Sequence, residues 1–268
     1  KMRSVACQSC EFVQTRSSPG VVNLAMGQPG ADVIPKALID KALGDAFTKN
    51  QDPYIYQYST IIGTIAFRKA VSGLLERKCG IKVEIDQLTP TFGNSGALNV
   101  ISRVLARPSD LVIVEEFSYY LAGTIFQEAG LEIRSVGIDR DGMIVDDLEK
   151  LIRSDGLRPK LVYTIPFHHN PTSVNLSEER KRRLIALSEE FDFVIVSDEP
   201  YLFINFGHPD ELAKAATAPA SMVPLAWREG GGVQRRVVSL MSFSKVLAPG
   251  LRVEWPYGPP DIIQTLQK

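Results

Sequence analysis

The sequence predicts an open, mostly parallel α/β sheet with helices on both faces, a three-layer α/β/α arrangement. Three observations carry that prediction. From residue 88 onward, short apolar runs alternate with segments of helical periodicity, which is the βα rhythm of a parallel sheet. Runs such as Phe193-Val194-Ile195-Val196 are continuously apolar rather than alternating, as strands covered on both faces must be. Chemically capable residues also collect directly after those runs, at the carboxyl ends of strands, where ligands of such sheets bind.

Residues 1 to about 35 read as irregular, with Gly27-Gln28-Pro29-Gly30 a turn or loop. Pro35 suits the first position of a helix to about Lys49, with Ala37, Leu38, Ala42, Leu43 and Phe47 on its apolar side. A tyrosine-rich loop, Tyr54 to Tyr58, leads to a helix from about Ile62 to Lys78 that turns Ile65, Ala66, Val71, Leu74 and Leu75 roughly to one side. The alternation then runs as strand 89–92, helix 95–105, strand 111–114, helix 119–129, strand 131–136, a loop at 139–142, helix 145–153 and strand 160–165. Ser177 caps the next helix, favoured by Glu178 and Glu179 at its positive end, before the strand at 193–196. A polar, Gly-rich excursion from about Gly207 to Gly232 reads as a surface insertion before the strand at 236–241. The expected division is an N-terminal arm and helix over 1–50 and one large domain over 51–268.

Composition narrows the function classes. The 268 residues are 44% hydrophobic and 23% charged, ordinary for a globular protein able to bury a large core. A net charge of −1 offers no basic surplus for a phosphate backbone, so nucleic acid is not an expected partner. No run of apolar residues is long enough to span a bilayer, so a membrane is not expected either. Lys1 to Cys10 lack the apolar core of a signal peptide; the expected location is the cytoplasm, with the mitochondrion as the alternative. Three cysteines make no disulfide framework. Cys7 and Cys10 have the spacing of half a zinc site without a second half, the histidines lack metal-ligand spacing, and no metal site is expected.

The strand ends carry the chemistry. After the first strand, Gly93-Asn94-Ser95-Gly96 opens a helix, and small residues there leave N–H groups free to seat a phosphate. Later ends bring Tyr119, then Asn170 within His168-His169-Asn170-Pro171-Thr172, then Asp198-Glu199-Pro200-Tyr201. The last brings Ser242-Phe243-Ser244-Lys245, with Arg252 seven positions beyond the lysine. An amine beside hydroxyls and a guanidinium has the parts to form a Schiff base with an aldehyde and to hold a phosphate dianion. Taken alone, that stretch also fits an exposed lysine after a strand. The full set matches a planar, phosphorylated, cationic heterocycle that bears an aldehyde.

Together, Asn170-Pro171-Thr172, Asp198-Glu199-Pro200-Tyr201 and the run from Ser242 to Arg252 resemble the fold-type I pyridoxal-phosphate enzymes. The resemblance is to class I and II aminotransferases of the aminoadipate and kynurenine aminotransferase-like group, over roughly residues 21–268. It implies transfer of the amino group of an L-amino acid to a 2-oxo acid by a ping-pong route, with pyridoxal 5′-phosphate as cofactor. Lys245 would hold the cofactor as a Schiff base and then shuttle a proton. Asp198 would pair with the pyridine nitrogen; at an effective dielectric of about 20 such a pair gains about 4 kcal/mol before desolvation. Asn170 and Tyr201 would bond the ring hydroxyl, and Tyr119 would stack on the ring. Ser95 and Gly96 amides, Ser242 and Arg252 would bind phosphate, with Ser244 also among the cofactor-binding residues. Tyr58 would reach the cofactor of a neighbouring subunit, which implies a homodimer with shared active sites. Gly27, with Asn170, would approach the substrate.

Two positions depart from the family pattern, Ser173 and Glu254, where the family usually has glycine. Family members also continue into a small C-terminal domain that supplies an arginine for the substrate carboxylate, and the resemblance implies that most of it is lacking here. Two rival readings share these motifs: a pyridoxal-phosphate lyase or aminocyclopropane-carboxylate synthase-like enzyme, and a non-catalytic ligand-sensing domain like that of certain bacterial regulators.

Overall fold

The computed structural model describes residues 20, 22, 27–49, 52–80, 82–204, 221–229 and 236–267. The cysteine pair Cys7 and Cys10 lies outside them. Helices α1 (Lys36–Lys49) and α2 (Ile65–Cys79) precede the sheet. The alternation follows as β1 (Thr91–Phe92), α3 (Gly93–Val104), β2 (Leu111–Glu115), α4 (Tyr120–Glu128) and β3 (Glu132–Val136). A small hairpin, β4 (Ile138–Asp139) with β5 (Gly142–Met143), stands where a loop was expected, and α5 (Val145–Arg153) follows. Then come β6 (Pro159–Thr164), α6 (Glu178–Phe191), β7 (Val194–Asp198), α7 (Met222–Glu229), β8 (Val237–Ser242), β9 (Val253–Tyr257) and α8 (Pro260–Leu266).

Seven strands form one sheet in the order β1-β9-β8-β7-β6-β2-β3. The pairs β8/β7, β7/β6, β6/β2 and β2/β3 are parallel, whereas β9 runs antiparallel to both its neighbours. Alternate residues divide the core in two. Ile113, Val162 and Ile195 face one cluster with Leu75, Leu148, Leu184 and Val223, from α2, α5, α6 and α7. Val112, Val114, Leu161, Tyr163, Val194 and Val196 face the other, with Leu98, Phe126 and Ile262 from α3, α4 and α8. Helices therefore cover both faces, as the continuous apolar strands predict.

Helix ends follow the sequence signals. Ser177 accepts from the Arg180 N–H at 3.3 Å to cap α6, and Thr64 does the same for α2 from Phe67 at 3.2 Å. Gly80 closes α2 in the left-handed conformation at φ 66°. Among the described residues no residue of α1 is buried, and its apolar residues Leu38, Leu43 and Phe47 are exposed. One expectation needs correction. The excursion at 207–232 is not wholly a surface insertion. Its residues 222–226 start α7, with Met222, Val223, Leu225 and Ala226 in the core; residues 205–220 and 230–235 lie outside the described residues. Strand β9 and helix α8 were not foreseen; Glu254 and Pro256 interrupt the strand pattern there. Among the described residues no helix is long and apolar enough to cross a membrane.

Candidate active site

Strand parity aims the site. In β7, Val194 and Val196 face the α3 side of the sheet, and two residues on so does Asp198; in β8, Val238 and Leu240 are followed likewise by Ser242. These carboxyl ends, the start of α3 and the loop before α4 enclose a cavity of about 760 Å³. Gly27, Ser95, Tyr119, Asn170, Asp198, Tyr201, Ser242, Ser244, Lys245 and Arg252 all line it. Two expected residues do not. Gly96 sits behind Ser95 in the first turn of α3, and Tyr58 is fully exposed at 102% on the loop before α2.

Asp198 lies at the floor, 5% exposed. Its Oδ1 accepts from Asn94 Nδ2 at 2.6 Å and its Oδ2 from Tyr163 Oη at 2.8 Å. Burial raises its pKa from an ordinary 3.8 to about 6, against the opposing pull of those two hydrogen bonds. An aspartate so placed gains from a nearby cation that restores its charge. Lys245 is half-buried and donates from Nζ to the Gly27 carbonyl at 2.7 Å. Burial lowers its pKa, with Asp198 opposing, so more of the neutral, nucleophilic amine is present at neutral pH than for a solvated lysine. Burial likewise pushes up the Tyr201 phenol, which the Asn170 side chain hydrogen-bonds, and the Tyr119 phenol.

The anion seat forms where α3 begins. Phe92, at the cap position, gives α3 no side-chain cap, which leaves its first N–H groups open towards the cavity. Gly93 has φ +83°, and a Cβ there would fall 1.7 Å from an Arg252 guanidinium nitrogen, so glycine is what lets Arg252 lie on the helix start. Ser242 and Ser244 hydroxyls stand beside it, both donating to Glu254.

A buried polar relay backs the Asn170 loop. His169 is 2% exposed; its Nδ1 lies 2.9 Å from Thr172 Oγ1 and its Nε2 3.4 Å from Glu115 Oε2. Thr164 donates to the other oxygen of Glu115. His169 thereby sets the loop beside the ends of β2 and β6, with its Nε2 and the facing Glu115 Oε2 making no hydrogen bond among the described residues, and the Asn170–Pro171 peptide of the loop is cis.

The family model described as "Aminotransferase class I and II" matches residues 19–268. The chain belongs to that family. Aromatic-amino-acid aminotransferase 1 of Thermococcus litoralis is 31% identical over 96% of this chain and 59% of its own length. The crystal structure of Pyrococcus horikoshii kynurenine aminotransferase, solved with PMP, superposes with a TM-score of 0.78 at 31% identity, over 91% of this chain and 57% of that one. The Thermus thermophilus α-aminoadipate aminotransferase complexed with N-(5′-phosphopyridoxyl)-L-leucine gives a TM-score of 0.80 at 27% identity, over 95% and 62%. The chain thus spans about three fifths of the length of these relatives.

In this class I and II aminotransferase chain, the roles of Asn94 and Glu254 at the cavity and of Tyr163 beneath it go beyond what the sequence pattern assigns them, Glu254 standing there only as a departure from the family's usual glycine. Asn94 was read as helix-opening backbone, yet its side chain holds Asp198 from 104 positions away, which no spacing rule reaches. Tyr163 left a usable signal: a tyrosine inside an otherwise apolar buried strand needs a partner for its hydroxyl. Glu254 left a similar one, a carboxylate within the buried strand β9.

Proposed function

We propose that this chain is the cofactor-binding core of a pyridoxal-phosphate-dependent aminotransferase that passes the amino group of an L-amino acid to a 2-oxo acid by a ping-pong route. One observation carries the reading: a half-buried lysine of lowered pKa shares a cavity with a buried aspartate that makes no ion pair among the described residues. The donor set fits the cofactor. Asn94 Oδ1 and Ser118 Oγ are buried at the cavity wall without hydrogen-bond partners among the described residues, and Gly93 makes room for Arg252 at the helix start.

When bound, pyridoxal phosphate supplies an aldehyde that receives the amino group and a ring that draws electron density from the substrate α-carbon. The chain's residues do the rest. Lys245 anchors the cofactor, and its Nζ takes up and returns the proton at the α-carbon. Asp198, held by Asn94 and Tyr163, keeps the pyridine nitrogen protonated. Tyr201 and Asn170 hydrogen-bond the ring oxygen, and Tyr119 covers a ring face. Arg252, Ser242, Ser244 and the α3 amide of Ser95 take the phosphate. Gly27 lies on the substrate side, where its carbonyl keeps Lys245 in reach. The names of the relatives support an aromatic amino acid as donor. Tyr58 completes a second subunit's site within a homodimer.

The test is a single half-reaction. With pyridoxal phosphate, an aromatic L-amino acid and no acceptor, one equivalent of 2-oxo acid per site is expected, slowed about 10³-fold in Lys245→Ala. Continued release of ammonia without an acceptor would identify a lyase instead. No oxo acid from the parent chain would overturn the aminotransferase reading.

A further inference from the structure

Strand β9 sends a carboxylate into the anion seat. Glu254 is 1% exposed, and the strand dictates its direction: Trp255 and Tyr257 face the α2 side, so Glu254 faces α3. Its backbone is in register with Ser242 on one side and Thr91 on the other. The side chain therefore emerges among the phosphate donors. Its Oε1 accepts from Ser242 Oγ at 3.1 Å and from Ser244 Oγ at 2.7 Å, and lies 3.5 Å from an Arg252 guanidinium nitrogen. Its Oε2 is buried with no hydrogen-bond partner among the described residues.

A serine hydroxyl has one proton to give. While both protons point at Glu254, neither is offered to a phosphate oxygen, and part of the Arg252 charge is already answered. A dianion entering the seat has to displace those bonds and lie beside a buried like charge, which low-dielectric surroundings make more repulsive than water does.

We propose that Glu254 is an internal anion that competes with the cofactor's phosphate for Ser242, Ser244 and Arg252. The site then holds phosphorylated cofactor loosely and discriminates weakly between pyridoxal phosphate and unphosphorylated pyridoxal. This rests on the cofactor reading above. A carboxylate that only oriented the serines would strengthen phosphate binding, so the two roles predict effects of opposite sign when the charge is removed.

The experiment titrates the parent chain, Glu254→Gln and Glu254→Gly with pyridoxal phosphate and separately with pyridoxal, read by tryptophan fluorescence and ligand absorbance. Both variants should bind pyridoxal phosphate about tenfold tighter or more, while affinity for pyridoxal stays within about twofold, because only the like-charge repulsion is lifted. Glutamine keeps the volume and an acceptor oxygen, so it decides the matter if the glycine variant fails to fold. Unchanged or weaker affinity for pyridoxal phosphate in Glu254→Gln overturns the proposal and leaves the cofactor reading standing. Failure of all three proteins to bind pyridoxal phosphate overturns both.

Discussion

Asp198 shows how burial makes one residue's charge costly in the folded chain. Lifting its carboxyl from 3.8 to about 6 corresponds to about 3 kcal/mol of unfavourable ionisation in the folded chain. Because the folded state holds the proton more tightly than the unfolded state, that cost is fully present above pH about 6 and disappears as the pH falls towards 3.8. Without added cofactor, Asp198→Asn is therefore expected to be more stable than the parent by up to about 3 kcal/mol at pH 8. The gap should close between pH 6 and 4 in denaturant titrations. A gap that stays flat with pH would show that burial of this charge is not its source. At this scale the sequence was informative wherever a residue follows a strand directly, since backbone order alone delivers it to the cavity; Lys245, Tyr201 and Asn170 are of that kind. Contacts made across the sheet, such as Tyr163 on Asp198, depend on strand order, and a linear reading does not contain it.

Among the elements, α3 and β9 build the anion seat between them. Gly93 opens α3 with a positive φ and leaves space that Arg252, itself in the left-handed region at φ 52° after β8, fills. Gly93→Ala is expected to cost about 1–2 kcal/mol of stability, from backbone strain and from expulsion of the guanidinium. It should also weaken pyridoxal phosphate binding while leaving pyridoxal affinity unchanged. Equal weakening of both ligands would place the damage in the ring site rather than the seat. Strands and helices with clean periodicity, such as β7 and α5, were legible to within a residue or two. Helix α7 was not, because its apolar residues lie inside a stretch bounded by glycine and polar runs. β9 was obscured by Glu254 and Pro256, although it pairs with strands on both sides.

Over the whole molecule, the described apolar surface is uneven. Leu38, Leu43 and Phe47 of α1, then Tyr54, Ile55, Tyr56, Tyr58, Ile61, Ile65 and Phe92 stand exposed, while the two cores on either side of the sheet are closed. Exposed apolar residues in such number are characteristic of surfaces that bind a partner. The periodicity that assigned α1 an apolar side was correct; what covers that side is not written in a single chain's pattern. If a second copy does so and brings Tyr58 to the site, sedimentation velocity at micromolar concentration should give a dimer, and Tyr58→Ala should loosen cofactor binding without touching the cavity of its own subunit. A chain that stays monomeric would detach Tyr58 from the site.

On the proposal that Lys245 forms the Schiff base in this cavity, the decisive measurement adds pyridoxal phosphate, reduces with borohydride and maps the modified peptide by mass spectrometry. One equivalent of reduced adduct confined to Lys245, absent from Lys245→Ala, is the predicted result. No adduct at Lys245, or label spread evenly over surface lysines, would contradict it.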